Sequence, residues 1–283
     1  MTDFEFYQTT KTMLEKMADL RGITTSQLQE YYSHTDRFCR FYNDLNDIPQ
    51  VFAQLIFHRQ NATMVSSIVK FETNYDFLKR ITKNFQPSAF LNYYNVKSNR
   101  IDALVDDFRW NDAMQKGLKW DSTKSVKKDH IAKLFAQSMF ECAEYLKQFN
   151  SRQEVLNDLQ GHAVSTKSLI EYFSSKIKTG FSVALSCDFL KEFDVCFEYL
   201  PKPDVHIRDV IKALKGRSYQ KDIDLVTEVQ TMVSNINTQL TSKGDAPITV
   251  YQLDRMIWLV CTGNFFIPGH PNGTTKQVYI SML

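Results

Sequence analysis

The sequence has little glycine and little proline, with 9 and 7 of these residues among 283. Their scarcity disfavours a turn-rich β architecture and favours helices. The sequence also has no run of 18 apolar residues, and its first residues lack the basic and apolar regions of a secretory signal. We therefore expect no membrane partner, and a location that is cytoplasmic (nucleoid-associated in a bacterium) or nuclear and not secreted.

Cysteine and histidine are also sparse, with five and six residues respectively. No C-x-x-C pair occurs, and the histidines lack the spacing of metal ligands, so the sequence predicts no metal site. An odd number of widely spaced cysteines is typical of reduced thiols in a reducing compartment.

Apolar residues, by contrast, make up 43% of the chain and aromatic residues 13%, which argues against disorder. Apolar side chains recur at three- and four-residue steps over 130–149 and 222–240, so the sequence predicts a mainly α fold. The stretch 86–88, Gln-Pro-Ser, looks like a loop, and 277–280, Gln-Val-Tyr-Ile, looks like a short strand. At this length, two closely packed subdomains are as plausible as one body.

Positive charge is concentrated in one stretch although the whole chain carries a net charge of only +2. Between 202 and 221 there are six basic residues and two acidic ones. The basic residues are Lys202, Arg208, Lys212, Lys215, Arg217 and Lys221. This excess fits either a surface for a polyanion or an ordinary solvated helix face.

That basic stretch begins with the segment 200–207, Leu-Pro-Lys-Pro-Asp-Val-His-Ile. The two prolines hold the backbone extended, so Asp204 is predicted to be the N-cap of a helix that ends near Leu214. A proline followed by aspartate is commonly nothing more than a helix cap. We also expect His206 to be a packing or capping residue.

A second helix start is marked by Thr249 and Gln252, which have the spacing of a capping box. The helix is predicted to end at Thr262, with Gly263 as its C-cap. It is apolar on more than one side, and one of its faces carries Tyr251, Asp254, Trp258 and Cys261. Such a helix either packs between two bodies or forms the wall of a pocket.

The stretch 168–190 has the pattern of a helix, a tight turn that closes at Gly180, and a second helix. The start of the second helix leaves backbone N–H groups free, and these can bind a phosphate. Lys176 and Lys178 lie beside the turn and would add affinity for a nucleic-acid backbone without regard to its sequence.

The helix pair, with its segment 180–184 Gly-Phe-Ser-Val-Ala followed by 203–207 Pro-Asp-Val-His-Ile, resembles the helix-hairpin-helix DNA glycosylase superfamily. It is most similar to the 8-oxoguanine glycosylase branch. The resemblance covers about 40 residues, and it implies a mainly α, two-lobed fold with the active site between the lobes. It further implies one lobe from 1–60 plus 205–283 and a helical barrel from 61–204, with the hairpin at about 165–192.

The resemblance assigns roles to ten residues. Asp204 would be catalytic, Lys176, Lys178, Thr179, Gly180 and Ser182 would bind the DNA backbone, and Ser186, Tyr251, Asp254 and Trp258 would contact the base. The expected partner is double-stranded DNA, bound by a monomer without metal or organic cofactor.

Three positions depart from the family's pattern. Ile177 and Lys178 replace the proline and first glycine of the hairpin, and Ser182 stands where the lyase members carry a lysine. We therefore expect a monofunctional glycosylase, a hydrolase of base excision repair that acts on a flipped base without AP-lyase activity. Two alternatives stay open: a non-catalytic DNA-binding protein on a glycosylase scaffold, and a helical protein unrelated to nucleic acid.

Overall fold

A computed structural model of the protein describes residues 1–33, 45–61, 71–111, 125–263 and 276–283. Over these ranges the chain forms fourteen α-helices, one short 3-10 helix and no strand, which confirms the mainly α prediction. None of these helices combines the length and apolar character needed to cross a bilayer.

In chain order the α-helices are α1 (Asp3–Asp19), α2 (Thr25–Tyr32), α3 (Asp47–Gln60), α4 (Tyr75–Ile81), α5 (Pro87–Asn95), α6 (Arg100–Arg109), α7 (Ser125–Leu146), α8 (Arg152–Gly161), α9 (Thr166–Lys176), α10 (Val183–Phe193), α11 (Val205–Lys215), α12 (Asp222–Ser242), α13 (Val250–Thr262) and α14 (Lys276–Ile280).

The chain divides into two compact units. Unit 1 comprises Met1–Asp36 and Leu190–Leu283, and unit 2 comprises Arg37–Phe189. The resemblance implied boundaries after 60 and after 204 instead. Helix α3 belongs to unit 2 because it packs on α7 there, and the segment 190–204 belongs to unit 1.

Helix α13 is central to unit 1. It contacts α1, α2, α11, α12 and α14, and three of its apolar side chains, Leu253, Ile257 and Val260, are fully buried. A helix with neighbours on several sides has apolar residues around most of its circumference. This packing accounts for the two apolar faces seen in the sequence.

In unit 2, helix α7 has the corresponding position, and α3, α5, α6 and α9 pack against it. Aromatic side chains fill the space between them. The ring of Phe90 lies 5.7 Å from that of Phe52 and 4.9 Å from that of Phe140. Aromatic pairs at such separations add stability beyond the area they bury.

Two of the sequence-based predictions of local structure were wrong. Pro87 does not lie in a loop but begins α5, because a proline is tolerated in the first turn of a helix, where its missing N–H has no intrahelical acceptor. The stretch 277–280 is helical in α14 and not a strand. Its Tyr279 is fully buried and bonds the hydroxyl of Thr10 at 2.5 Å, a contact that no local pattern reveals.

Candidate functional site

Asp204 is the N-cap of helix α11, as predicted. One oxygen of its carboxylate, Oδ1, accepts hydrogen bonds from the backbone N–H groups of His206 at 2.8 Å and Ile207 at 3.2 Å. The preceding Pro201 and Pro203 are both buried, so the extended segment that leads to the cap is fixed. The carboxylate therefore has a defined position and direction.

The second carboxylate oxygen of Asp204 is not used in this way. Within the described residues no side chain donates to the carboxylate, and it takes part in no ion pair. The residue is half-buried. One oxygen thus anchors the helix start, and the other has no protein partner within the described ranges.

Charged and titratable groups surround this cap. Burial lowers the pKa of His206, helped by the positive charges of Lys276 and Lys202 and opposed by Asp204 and Asp209. The Nδ1 atom of His206 has no hydrogen-bond partner among the described residues. His206 is therefore neutral over more of the pH range than an ordinary histidine.

Much of the positive charge between 202 and 221 is neutralised by ion pairs. Arg208 pairs with Asp222. Lys215 pairs with Asp3 at 2.7 Å and with Glu228 at 3.1 Å. Arg217 also pairs with Glu228, at 3.0 Å.

Lys212 and Lys221, by contrast, are exposed and form no ion pair with any described residue. The field near Asp204 is accordingly weaker than the sequence indicates.

The predicted helix pair is present as α9 and α10, and α9, the turn and α10 up to Phe189 belong to unit 2. Gly180 closes the turn with φ of 90°, a backbone conformation that side chains with a Cβ rarely adopt. A Cβ at this position would also collide with the guanidinium of Arg59. The positive φ therefore favours glycine at 180, and a Cβ there would also force the Arg59 side chain to move.

Arg59 is an unusual neighbour for that turn. It is only 4% exposed, and its Nε and Nη1 atoms have no hydrogen-bond partner among the described residues. Burial lowers its pKa, whereas the nearby Cys142 and Glu141 raise it. Sequence analysis missed this residue because it lies about 120 positions before the turn.

The predicted backbone contacts of the turn are only partly available. The N–H and hydroxyl of Thr179 donate to the carboxylate of Glu141 at 2.6 and 2.8 Å. The N–H groups of Val183, Ala184 and Leu185 have no acceptor among the described residues, as the first turn of a helix dictates. An anion at this turn would use the start of α10 and not Thr179.

The remaining predicted residues of the turn differ in exposure. Lys176, Lys178 and Ser182 are exposed, and the Lys176 ammonium lies 4.8 Å from the ring centre of Tyr172. Ser186 is fully buried, and its hydroxyl bonds that of Ser174 at 3.0 Å. The three exposed residues are accessible to solvent, whereas Ser186 links the two helices.

The predicted base contacts Tyr251 and Asp254 lie inside unit 1. Asp254 is buried and pairs with Lys191, which is buried as well. The Tyr251 hydroxyl donates to the Glu192 carboxylate at 3.1 Å. The structure thus brings these two residues into one buried network with Lys191 and Glu192, which sequence analysis did not single out.

Trp258 is half-buried on the same helix, and the Arg255 guanidinium lies 5.2 Å from its ring centre. Two clefts on the described surface have volumes of about 610 Å³ in unit 1 and 270 Å³ in unit 2. Neither is lined by Asp204, Trp258 or any other predicted site residue. No group of three or more potential metal ligands occurs within the ranges the structure describes.

Comparison of the chain with protein-family models, with curated proteins and with solved structures found no match.

Proposed function

We propose that this protein is a monofunctional DNA glycosylase, which hydrolyses the N-glycosidic bond of a damaged or modified base flipped out of duplex DNA. Asp204 is the catalytic residue of this proposal. The single observation that carries it is the Asp204 carboxylate, held by two backbone N–H groups through one oxygen while its other oxygen has no partner among the described residues.

Such a carboxylate suits the reaction. Breaking the bond between base and sugar builds positive charge on the deoxyribose, and a negative group in a fixed position stabilises that charge without having to reorganise. The same group can orient the attacking water or accept its proton. Because Oδ1 is engaged with the helix, Oδ2 is the atom we assign to these tasks.

The helix pair of unit 2 supplies the proposed contact with the DNA backbone. The free N–H groups at the start of α10 favour a phosphate, and exposed Lys176 and Lys178 add charge. Glu141 opposes this binding because its carboxylate already accepts the hydrogen bond of the Thr179 N–H. We therefore expect moderate DNA affinity that depends strongly on salt.

We expect no lyase chemistry from the turn itself, and whether Lys176, Lys178 or Lys202 replaces the missing lysine is open. Ser182 is exposed where a lyase lysine would stand, and a hydroxyl cannot form the Schiff base that such an enzyme uses. Base release should therefore leave an intact abasic site. Borohydride treatment during the reaction should trap no covalent adduct between protein and DNA.

The test is base release from a panel of duplexes that contain 8-oxoguanine, N-alkylated purines or deaminated bases. The wild type should release one class of base, and Asp204→Asn should lose that activity while it keeps its DNA affinity. Release by Asp204→Asn at the wild-type rate would refute the role of Asp204. DNA binding without release from any duplex would favour the non-catalytic alternative, and no binding even at low salt would exclude both.

A further inference from the structure

The cleft of about 610 Å³ in unit 1 is built from α1, α2, the turn after α12 and the first part of α13. Its volume is in the range of pockets that hold small molecules. It does not include Asp204 or any residue of the proposed reaction. It is therefore a separate feature that the proposed function leaves unexplained.

Two carboxylates line this cleft, Glu15 from α1 and Asp245 from the turn after α12. Both are exposed, and neither forms an ion pair with any residue that the structure describes. The one basic residue of the lining is Lys11. Its lining residues thus carry one more negative than positive charge, and the Lys243 ammonium lies beside the lining residue Phe4.

Tyr7 lines the same cleft, and both carboxylates act on its pKa. Tyr7 as a whole is only 8% exposed, and its hydroxyl has no hydrogen-bond partner among the described residues. Burial is the main cause that raises its pKa, and the nearby Tyr32 and the carboxylates of Glu15 and Asp245 raise it further. All three groups that act on Tyr7 line the same cleft.

The cleft also has an aromatic wall. The rings of Phe4 and Tyr7 lie 6.4 Å apart, and Tyr32 lines the cleft from α2. The Lys243 ammonium lies 4.1 Å from the ring centre of Phe4, which shows that this ring already has a cation as its partner. Aromatic rings attract cations through the negative charge of their faces.

We infer that this cleft binds a small organic cation, an ammonium or guanidinium compound with an apolar body. Glu15 and Asp245 supply the charge, the ring of Tyr32 supplies a face for the cation, and Tyr7 and Phe4 supply surface for the apolar body. An anion of the same shape would meet two unpaired carboxylates, so the cleft should reject it. This inference does not depend on the proposed glycosylase activity.

The test is calorimetric titration of the full chain at low salt with phenyltrimethylammonium and, separately, with benzenesulfonate, which has the same ring and the opposite charge. The cation should bind saturably and the sulfonate should not. The double variant Glu15→Gln, Asp245→Asn should weaken binding of the cation about fivefold. Tyr32→Leu should also weaken it, because the ring is lost.

The matched control is Asp19→Asn, which removes one exposed carboxylate from the same helix α1 but outside the cleft. It should leave binding unchanged, and thermal unfolding should show that each variant is folded. Equal affinity for the cation and the sulfonate would overturn the inference. So would the absence of saturable binding, or a double variant that binds the cation as tightly as the wild type.

Discussion

Asp204 and Asp254 are both aspartates of unit 1, but the fold uses them in opposite ways. Asp204 is half-buried at a helix start, and its partners among the described residues are two backbone N–H groups. Asp254 lies within helix α13, with its side chain 5% exposed and paired with that of Lys191, which is 3% exposed. Sequence analysis assigned both to the active site.

This difference shows which carboxylate is available for chemistry. A buried ion pair must be complete, because either partner left alone is a desolvated charge. Asp254 is therefore committed to Lys191, and its Oδ1 also accepts the Lys202 N–H at 3.3 Å. It helps to fix the segment that leads to Asp204, whose second carboxylate oxygen has no partner in the described part of the chain.

The largest expected effect comes from Lys191→Met, which removes the buried ammonium that pairs with the buried Asp254 carboxylate. We expect the free energy of unfolding to fall by about 3–5 kcal/mol. Chemical denaturation would measure this loss. Lys212→Met, which removes an exposed lysine of α11 that has no ion pair among the described residues, is the control and should change stability by less than about 0.5 kcal/mol.

The double variant Lys191→Met, Asp254→Leu sharpens this prediction, because it removes both charges. It should recover a large part of the lost stability. If Lys191→Met were as stable as the wild type, the two aspartates would not differ in the way described above.

A smaller effect on stability is expected at Asp204, because a substitution there removes only a helix cap. Asp204→Ala should lower the free energy of unfolding by about 1 kcal/mol, because the N–H groups of His206 and Ile207 lose their acceptor. Asp204→Asn should lower it by no more than a few tenths of a kcal/mol, since asparagine caps equally well. Thermal or chemical unfolding of the two variants would show this, and equal losses would mean that Asp204 does more than cap.

The local parts of this account could be predicted from the sequence. The cap at Asp204 follows from the neighbouring prolines, and the capping box of Thr249 and Gln252 is present together with the left-handed Gly263. Each of these signals lies within a few residues. Backbone geometry alone produces them, so no knowledge of the tertiary structure is needed.

The parts that could not be predicted depend on contacts between distant positions. Lys191 and Asp254 are 63 residues apart, and Glu141 and Thr179 are 38 residues apart. A residue pattern shows that a helix face is apolar, but it does not show which helix covers that face. The same limit explains why Tyr251 and Asp254 looked like the wall of a pocket.

The smallest expected effect concerns His206, beside Asp204. Its pKa in the folded protein lies below the ordinary value of 6.5, so the unfolded chain binds the proton more readily. The contribution of His206 to the free energy of unfolding is therefore fully present above pH 6.5. It is lost as the pH falls from there toward the lowered pKa. His206→Gln should remove this decline. Unfolding curves measured between pH 5 and pH 8 would show it, and parallel curves for wild type and variant would contradict it.

The central claim is that Asp204 acts in catalysis as well as in capping. It is tested most directly by the single-turnover rate of base release for Asp204→Asn and wild type, with the DNA fully bound in both reactions. Because asparagine preserves the cap, the variant should stay folded and bind DNA, and its rate should fall by at least about a hundredfold. A rate equal to that of the wild type would contradict the claim and leave Asp204 as a helix cap.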